Sequence, residues 1–178
     1  MGTMKYDIFI SCKSEDYKYA EEVYDFLIEN HFKTFLASKE LRKLGDSQYR
    51  ESIEKALDTA EHIIVFSSNP EYPNSKYVKY EWGLFVDEKI SGRKEGNILT
   101  VLKDMDAGEL PIGLRRHESF QYETYKESLL DYVETNQHKE YLLHLKEEER
   151  EKEAQKREAQ EREKQKQIIL DQIKSQAE

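Results

Sequence analysis

The sequence predicts an α/β domain built on a parallel β-sheet and followed by a charged helical tail. Three observations predict it. Short apolar runs of β-forming type recur along residues 6–120 and alternate with segments of helical periodicity. One run, His62-Ile63-Ile64-Val65-Phe66, is continuously apolar, as a strand covered on both faces must be. From Lys139 onward the chain becomes Glu, Lys, Arg and Gln, with neither Gly nor Pro.

Tyr6-Asp7-Ile8-Phe9-Ile10 reads as the first strand, too short for a helix and closed by polar Ser11-Cys12-Lys13-Ser14. Glu15 to Asn30 has helical spacing, with Tyr19, Val23, Phe26 and Leu27 on one face, Ser14 as N-cap, and Glu15 and Asp16 at the positive end of the dipole. Phe32 to Ala37 is the second strand, and Ser38 to Gly45 a polar loop. Residues 47–59 form a helix through Ile53, Ala56 and Leu57, leading into the strand at His62. A loop with Pro70 and Pro73 follows. Ser75 then caps a helix to about Lys89, whose stripe is Val78, Trp82, Phe85 and Val86. Ile98 to Leu102 is the fourth strand, and Ser119-Phe120 marks a weak fifth. A helix from about Glu123 to Val133 closes the domain.

This order implies a five-stranded parallel sheet with right-handed crossovers, the flavodoxin-like arrangement, over residues 4–134. Ligands of such sheets sit beyond the carboxyl ends of the strands. That edge comprises Ser11–Ser14, Ser38–Gly45, Ser67–Ser75 and the loop after Leu102, and Asp7 and Asp16 are further acids assigned to it.

Composition narrows the function. Residues 139–178 carry ten basic and eleven acidic side chains, so −8 of the −9 net charge falls on residues 1–138. An acidic domain lacks the basic footprint of a nucleic-acid binder. Cys12 is the only cysteine and the five histidines are scattered, which excludes a disulfide framework and any Cys-based zinc site. Cys12 has no sign of a histidine partner to make it a nucleophile. No apolar run approaches the ~18 residues of a membrane span, so a soluble, cytoplasmic protein without membrane contact is expected. No Walker A loop or GxGxxG is present.

Three boxes occur in order. They are Tyr6 to Asp16, then Phe35-Leu36-Ala37 with Leu41 and Gly45, then Phe66-Ser67-Ser68 with Ser75-Lys76-Tyr77-Val78-Lys79-Tyr80-Glu81. Together they resemble the TIR domain family, whose NAD-cleaving members carry an aromatic-Val-x-x-Glu signature. Cys12 stands where an aromatic residue is common, and the third family box, often Phe-Trp, is reduced to Phe120.

The resemblance implies an NAD+ glycohydrolase, with cyclase activity as an extension, acting in defence or stress signalling and activated by TIR–TIR self-association. NAD+ is then the substrate, and no cofactor or metal is required. The alternative is a non-catalytic TIR adaptor. Glu81 is the implied catalytic residue. Helical phase places it about 60° from the centre of the Val78–Trp82–Phe85 stripe, on the rim between core and solvent. One carboxylate suffices for this chemistry. Ordinary glycosidases need an acid for a poor leaving group, whereas the pyridinium of NAD departs neutral and only the oxocarbenium-like ribose needs stabilising.

Substrate contacts are expected from Ser11 and Lys13 at the end of the first strand, facing ribose or phosphate. Lys39, Arg42 and Lys43 are candidates for the pyrophosphate, and Tyr77 for stacking. Phe35 either shapes the nicotinamide side of the pocket, as the resemblance implies, or serves the core. Trp82 lies on the apolar stripe and reads as core.

The tail, residues 139–178, is expected to form a solvated single helix. Glu148/Lys152, Glu153/Arg157 and Glu158/Arg162 have the favourable i,i+4 order. Residues 146–167, about 33 Å of helix, offer only Ala154 and Ala159 as apolar positions and so lack a coiled-coil seam. The segment ends in an apolar cluster, Ile168, Ile169, Leu170 and Ile173, suited to docking or to none.

Overall fold

The computed structural model describes residues 5–41 and 46–177. Five strands form one parallel sheet: β1 (Ile8–Ser11), β2 (Thr34–Leu36), β3 (His62–Ser67), β4 (Ile98–Leu102) and β5 (Glu118–Gln121), in the order β2-β1-β3-β4-β5. The helices are α1 (Tyr17–Glu29), α2 (Ala37–Glu40), α3 (Asp46–Thr59), α4 (Lys76–Ile90), α5 (Ile112–Arg115) and α6 (Asn136–Gln176). This is the predicted α/β arrangement.

Side-chain alternation divides the core into two layers. Phe9, Phe35, Ile63 and Val65 face α3, α4 and α5. Ile8, Ile10, Leu36, Ile64 and Phe66 face α1 and the C-terminal turns of the domain. Central strands covered on both sides must be apolar throughout, and every residue of β3 is buried.

Several sequence expectations are corrected. Residues 123–133 are not an α-helix but two 3-10 turns, Tyr125–Glu127 and Leu129–Tyr132. Tyr125, Leu129 and Val133, four residues apart, are all buried, so successive turns place every fourth residue in the core without a continuous helix. Ser14 does not cap α1: Ser14–Asp16 is itself a 3-10 turn, and the N-cap position falls on Asp16. Asp16 makes no cap hydrogen bond either; its buried carboxylate accepts from the backbone N–H of Ser68 at 2.9 Å and from the Ser68 hydroxyl. Ser75 occupies the N-cap of α4, but its hydroxyl donates to the Tyr72 carbonyl at 2.7 Å instead. The stretch after β2 is not all loop, since Ala37–Glu40 is helical.

Asp7 belongs to the opposite end of the sheet from the predicted edge. Its buried carboxylate accepts from the Lys33 N–H at 2.8 Å, the Thr135 hydroxyl at 2.5 Å and the Gln137 amide at 3.2 Å. These bonds tie the end of the domain to the start of β1, and they compensate a carboxylate that would otherwise be costly to bury. Gly96 precedes β4 because a Cβ there would stand 1.7 Å from the Glu61 carbonyl oxygen.

The chain separates into two compact units, residues 1–138 and 139–178. The second is the continuation of α6, and every residue from Glu149 to Ala177 is exposed. Among the described residues, no helix is long and apolar enough to cross a membrane.

Candidate functional site

β1 has β2 on one side and β3 on the other, so the connections leaving β1 and β3 diverge and open a crevice at their carboxyl ends. Ser11 is the last residue of β1 and is paired with Val65 of β3. Like Phe9 two residues earlier, it faces the α4 layer. Glu81 lies in the second turn of α4, and Val78, Trp82 and Phe85 point into the core beside it. The Ser11 hydroxyl donates to a Glu81 carboxylate oxygen at 2.5 Å.

The electrostatics follow from this placement. Glu81 keeps some solvent exposure as a residue, but its carboxyl end is largely taken out of water. Desolvation pushes its pKa from 4.5 up to about 7, and the Ser11 hydrogen bond opposes that rise by favouring the charged form. Among the described residues, no lysine or arginine contributes to the balance. A carboxyl group titrating near neutrality in a strand-end crevice marks a functional-site candidate.

A tyrosine not singled out in the sequence lies near Glu81, and a second tyrosine is bonded to the first. Tyr17, the first residue of α1, is hydrogen-bonded to Tyr49 of α3, and burial, that bond and the nearby Cys12 and Glu81 all push its pKa up. Helical periodicity places each on its own helix but gives no sign that α1 and α3 meet at this edge. Cys12 is driven up by burial first, then by Asp16, Glu81 and Glu21, so it stays a protonated thiol. It is no nucleophile at neutral pH.

The other predicted residues are dispersed. Lys13 lies 3.4 Å from Glu15 and 4.8 Å from the centre of the Tyr72 ring. Lys39 pairs with Asp25 at 3.6 Å along α1. Phe35 is a core residue, stacked on Phe9 with ring centres 5.0 Å apart and meeting Tyr6 edge-on at 5.4 Å. Tyr77 is 67% exposed, one helical turn before Glu81. Trp82 is core as expected, its indole N–H donating to the Pro73 carbonyl at 2.8 Å. Arg42 and Lys43 lie outside the described residues.

A separate groove of about 290 Å³ runs between α3 and α4, floored by Leu57, Leu84 and Phe85, and contains neither Ser11 nor Glu81. Among the described residues, no group of three or more His, Cys, Asp or Glu could hold a metal ion.

A family model described as TIR domain matches residues 8–143. No curated protein sequence matches significantly. Among solved structures, a metazoan TIR-STING receptor from C. gigas is similar at 16% identity and a TM-score of 0.57, over 76% of this chain and 42% of that one. The same receptor in complex with 2',3'-cGAMP gives 17% identity and 0.56, over 76% and 41%. The TIR domain of the Toll-related receptor TRR-2 from Hydra magnipapillata gives 18% and 0.50, over 72% of this chain and 92% of that one. The chain thus spans about two fifths of the TIR-STING receptor's length. At these identities the likeness shows the fold alone.

Proposed function

Because this chain belongs to the TIR domain family, we propose that it is an NAD+ glycohydrolase with Glu81 as its catalytic carboxylate. The observation that carries the reading is the Ser11–Glu81 pair, a desolvated carboxylate held by a hydroxyl at the switch-point crevice. In the proposed reaction the bond from ribose C1 to the pyridinium nitrogen breaks, and its electron pair neutralises the departing nicotinamide. Ionised Glu81 stabilises the positive charge left on the ribose and orients its hydroxyls. Water then adds at C1 and loses a proton, giving ADP-ribose. Attack by another part of the same molecule instead gives a cyclic isomer.

A pKa near 7 suits this use. The bound pyridinium is a cation, and an opposite charge close by favours the ionised carboxylate. Substrate binding therefore charges Glu81 when the charge is needed. Assembly of TIR domains closes the crevice and dries it, which strengthens the interaction between carboxylate and ribose. The setting that fits is defence or stress signalling in the cytoplasm.

Nicotinamide release from NAD+ by concentrated protein tests the reading, with Glu81→Ala and Glu81→Gln as comparisons. Release by the wild type and none by either variant is expected. Absence of release under assembling conditions overturns the enzyme and leaves a non-catalytic TIR adaptor. Release that survives both substitutions keeps the enzyme and removes Glu81 from its site.

A further inference from the structure

The end of α6 carries an apolar stripe that this domain chemistry does not use. Ile169, Leu170 and Ile173 are 55%, 51% and 59% exposed. They fall within about 100° of arc on a helical wheel, with Ala177 inside the same arc. Lys166 continues the stripe toward the N-terminus, so positions 166, 169/170, 173 and 177 follow the 3–4 spacing of a coiled-coil seam. The two flanks differ. One holds Gln165, Gln172 and Gln176. The other holds Glu163 and Lys174, within about 20° of each other on the wheel. Some charges on the helix pair internally, as in Glu158–Arg162 and Glu153–Arg157. Glu163 and Lys174 make no ion pair among the described residues.

We propose that this stripe is a self-association surface whose occupant is the same segment of a second copy of this chain, packed antiparallel. Charge complementarity sets the direction. In an antiparallel pair each flank meets the identical flank of its partner, so Glu163 of each chain faces Lys174 of the other, twice per dimer. With Ile169 opposite Leu170, the residue opposite Lys166 is Ile173, over which its apolar stem can lie. A parallel pair places Lys166 against Lys166 in the seam and sets the charged flank against glutamines, so it gains neither ion pair. Area sets the strength. At roughly 100 Å² per large side chain, Ile169, Leu170 and Ile173 offer about 300 Å² per chain, below the ~800 Å² per partner of a stable interface. The contact is weak alone and becomes effective when a second contact between the same two chains raises the local concentration.

The test is sedimentation equilibrium of the full chain across a concentration series. The double substitution Ile169→Lys/Ile173→Lys is expected to raise the dimer dissociation constant at least tenfold while leaving the melting temperature of the TIR domain unchanged. Glu163→Lys is expected to weaken association several-fold, and Glu163→Lys with Lys174→Glu to restore it, because the swap recreates both cross-chain pairs only in the antiparallel arrangement. Association unchanged by the isoleucine substitutions overturns the proposal. Failure of the charge swap to rescue overturns the antiparallel geometry. A chain monomeric at every concentration, whose tail instead binds vesicles of phosphatidylcholine and phosphatidylserine, overturns it in favour of a membrane-surface helix.

Discussion

Replacing Ser11 by Ala removes the hydrogen bond that favours the ionised Glu81 carboxylate and should move the acid limb of activity to higher pH. In the free protein Glu81 titrates at about 7. A hydrogen bond to a charged group contributes about 1.5–3 kcal/mol, and one pKa unit corresponds to ~1.4 kcal/mol. Its loss therefore raises the Glu81 pKa by about one to two units, to roughly 8–9. The profile of kcat/KM reports the free protein and should show the full displacement. The profile of kcat reports the complex, where the substrate's cation holds Glu81 ionised to lower pH, so its limb lies below that of kcat/KM. Nicotinamide release measured from about pH 5.5 to 9.5 resolves both limbs. Ser11→Thr, which retains the hydroxyl, should keep the wild-type limb. A wild-type kcat/KM flat through this range refutes the reasoning. So does a Ser11→Ala limb that stays in place while the rate merely falls.

Stability offers a readout independent of turnover. Between pH 4.5 and about 7 native Glu81 retains a proton that the unfolded chain releases, so the fold loses stability as pH rises through that window. Glu81→Gln removes this penalty and should melt higher than wild type at pH 8, by at most ~3 kcal/mol, and equally at pH 4; equal melting at both pH values refutes a raised Glu81 pKa. Gly96→Ala forces a methyl group to within 1.7 Å of the Glu61 carbonyl oxygen, and it should destabilise by roughly 3 kcal/mol or more, read from the urea midpoint. Cys12, held as a thiol by burial and three carboxylates, should resist iodoacetamide at pH 8 in the native protein and react once urea unfolds it, as followed by mass spectrometry.

Local pattern made most of the fold legible because each element's core-facing spacing is a property of that element alone. The runs at Ile8, His62 and Ile98 could only be strands, and the Val78–Trp82–Phe85 stripe fixed α4 and its phase. The reading failed where one spacing serves two backbones. Tyr125, Leu129 and Val133 bury equally well from an α-helix or from consecutive 3-10 turns. It failed again where short polar side chains choose among partners. Ser14, Asp16 and Ser75 have the chemistry of helix caps, but Asp16 finds two donors on Ser68, and Ser75 finds the Tyr72 carbonyl. Those partners lie on other turns and loops, which no cap pattern announces.

The same distinction explains the candidate site. Glu81 could be placed at the rim from its own helix, since a cap at Ser75 and a stripe through Trp82 fix its depth and direction. The role of Ser11 could not. Strand alternation puts Ser11 on the same face as Phe9, but that face touches α4 only because the crossover after β3 returns on the side opposite α1. Handedness across the switch point, not any motif, thus brings a hydroxyl from residue 11 to a carboxylate at residue 81. The lysines show the complementary situation. Lys13 and Lys39 lie in the boxes where a phosphate contact was expected, but each finds a nearer carboxylate, Glu15 or Asp25. A long side chain on an acidic domain meets a local anion before a distant one. Among the described residues no cation shifts Glu81, so its carboxyl keeps a raised pKa, and in the proposed reaction the pyridinium of NAD+ is the cation that would ionise it.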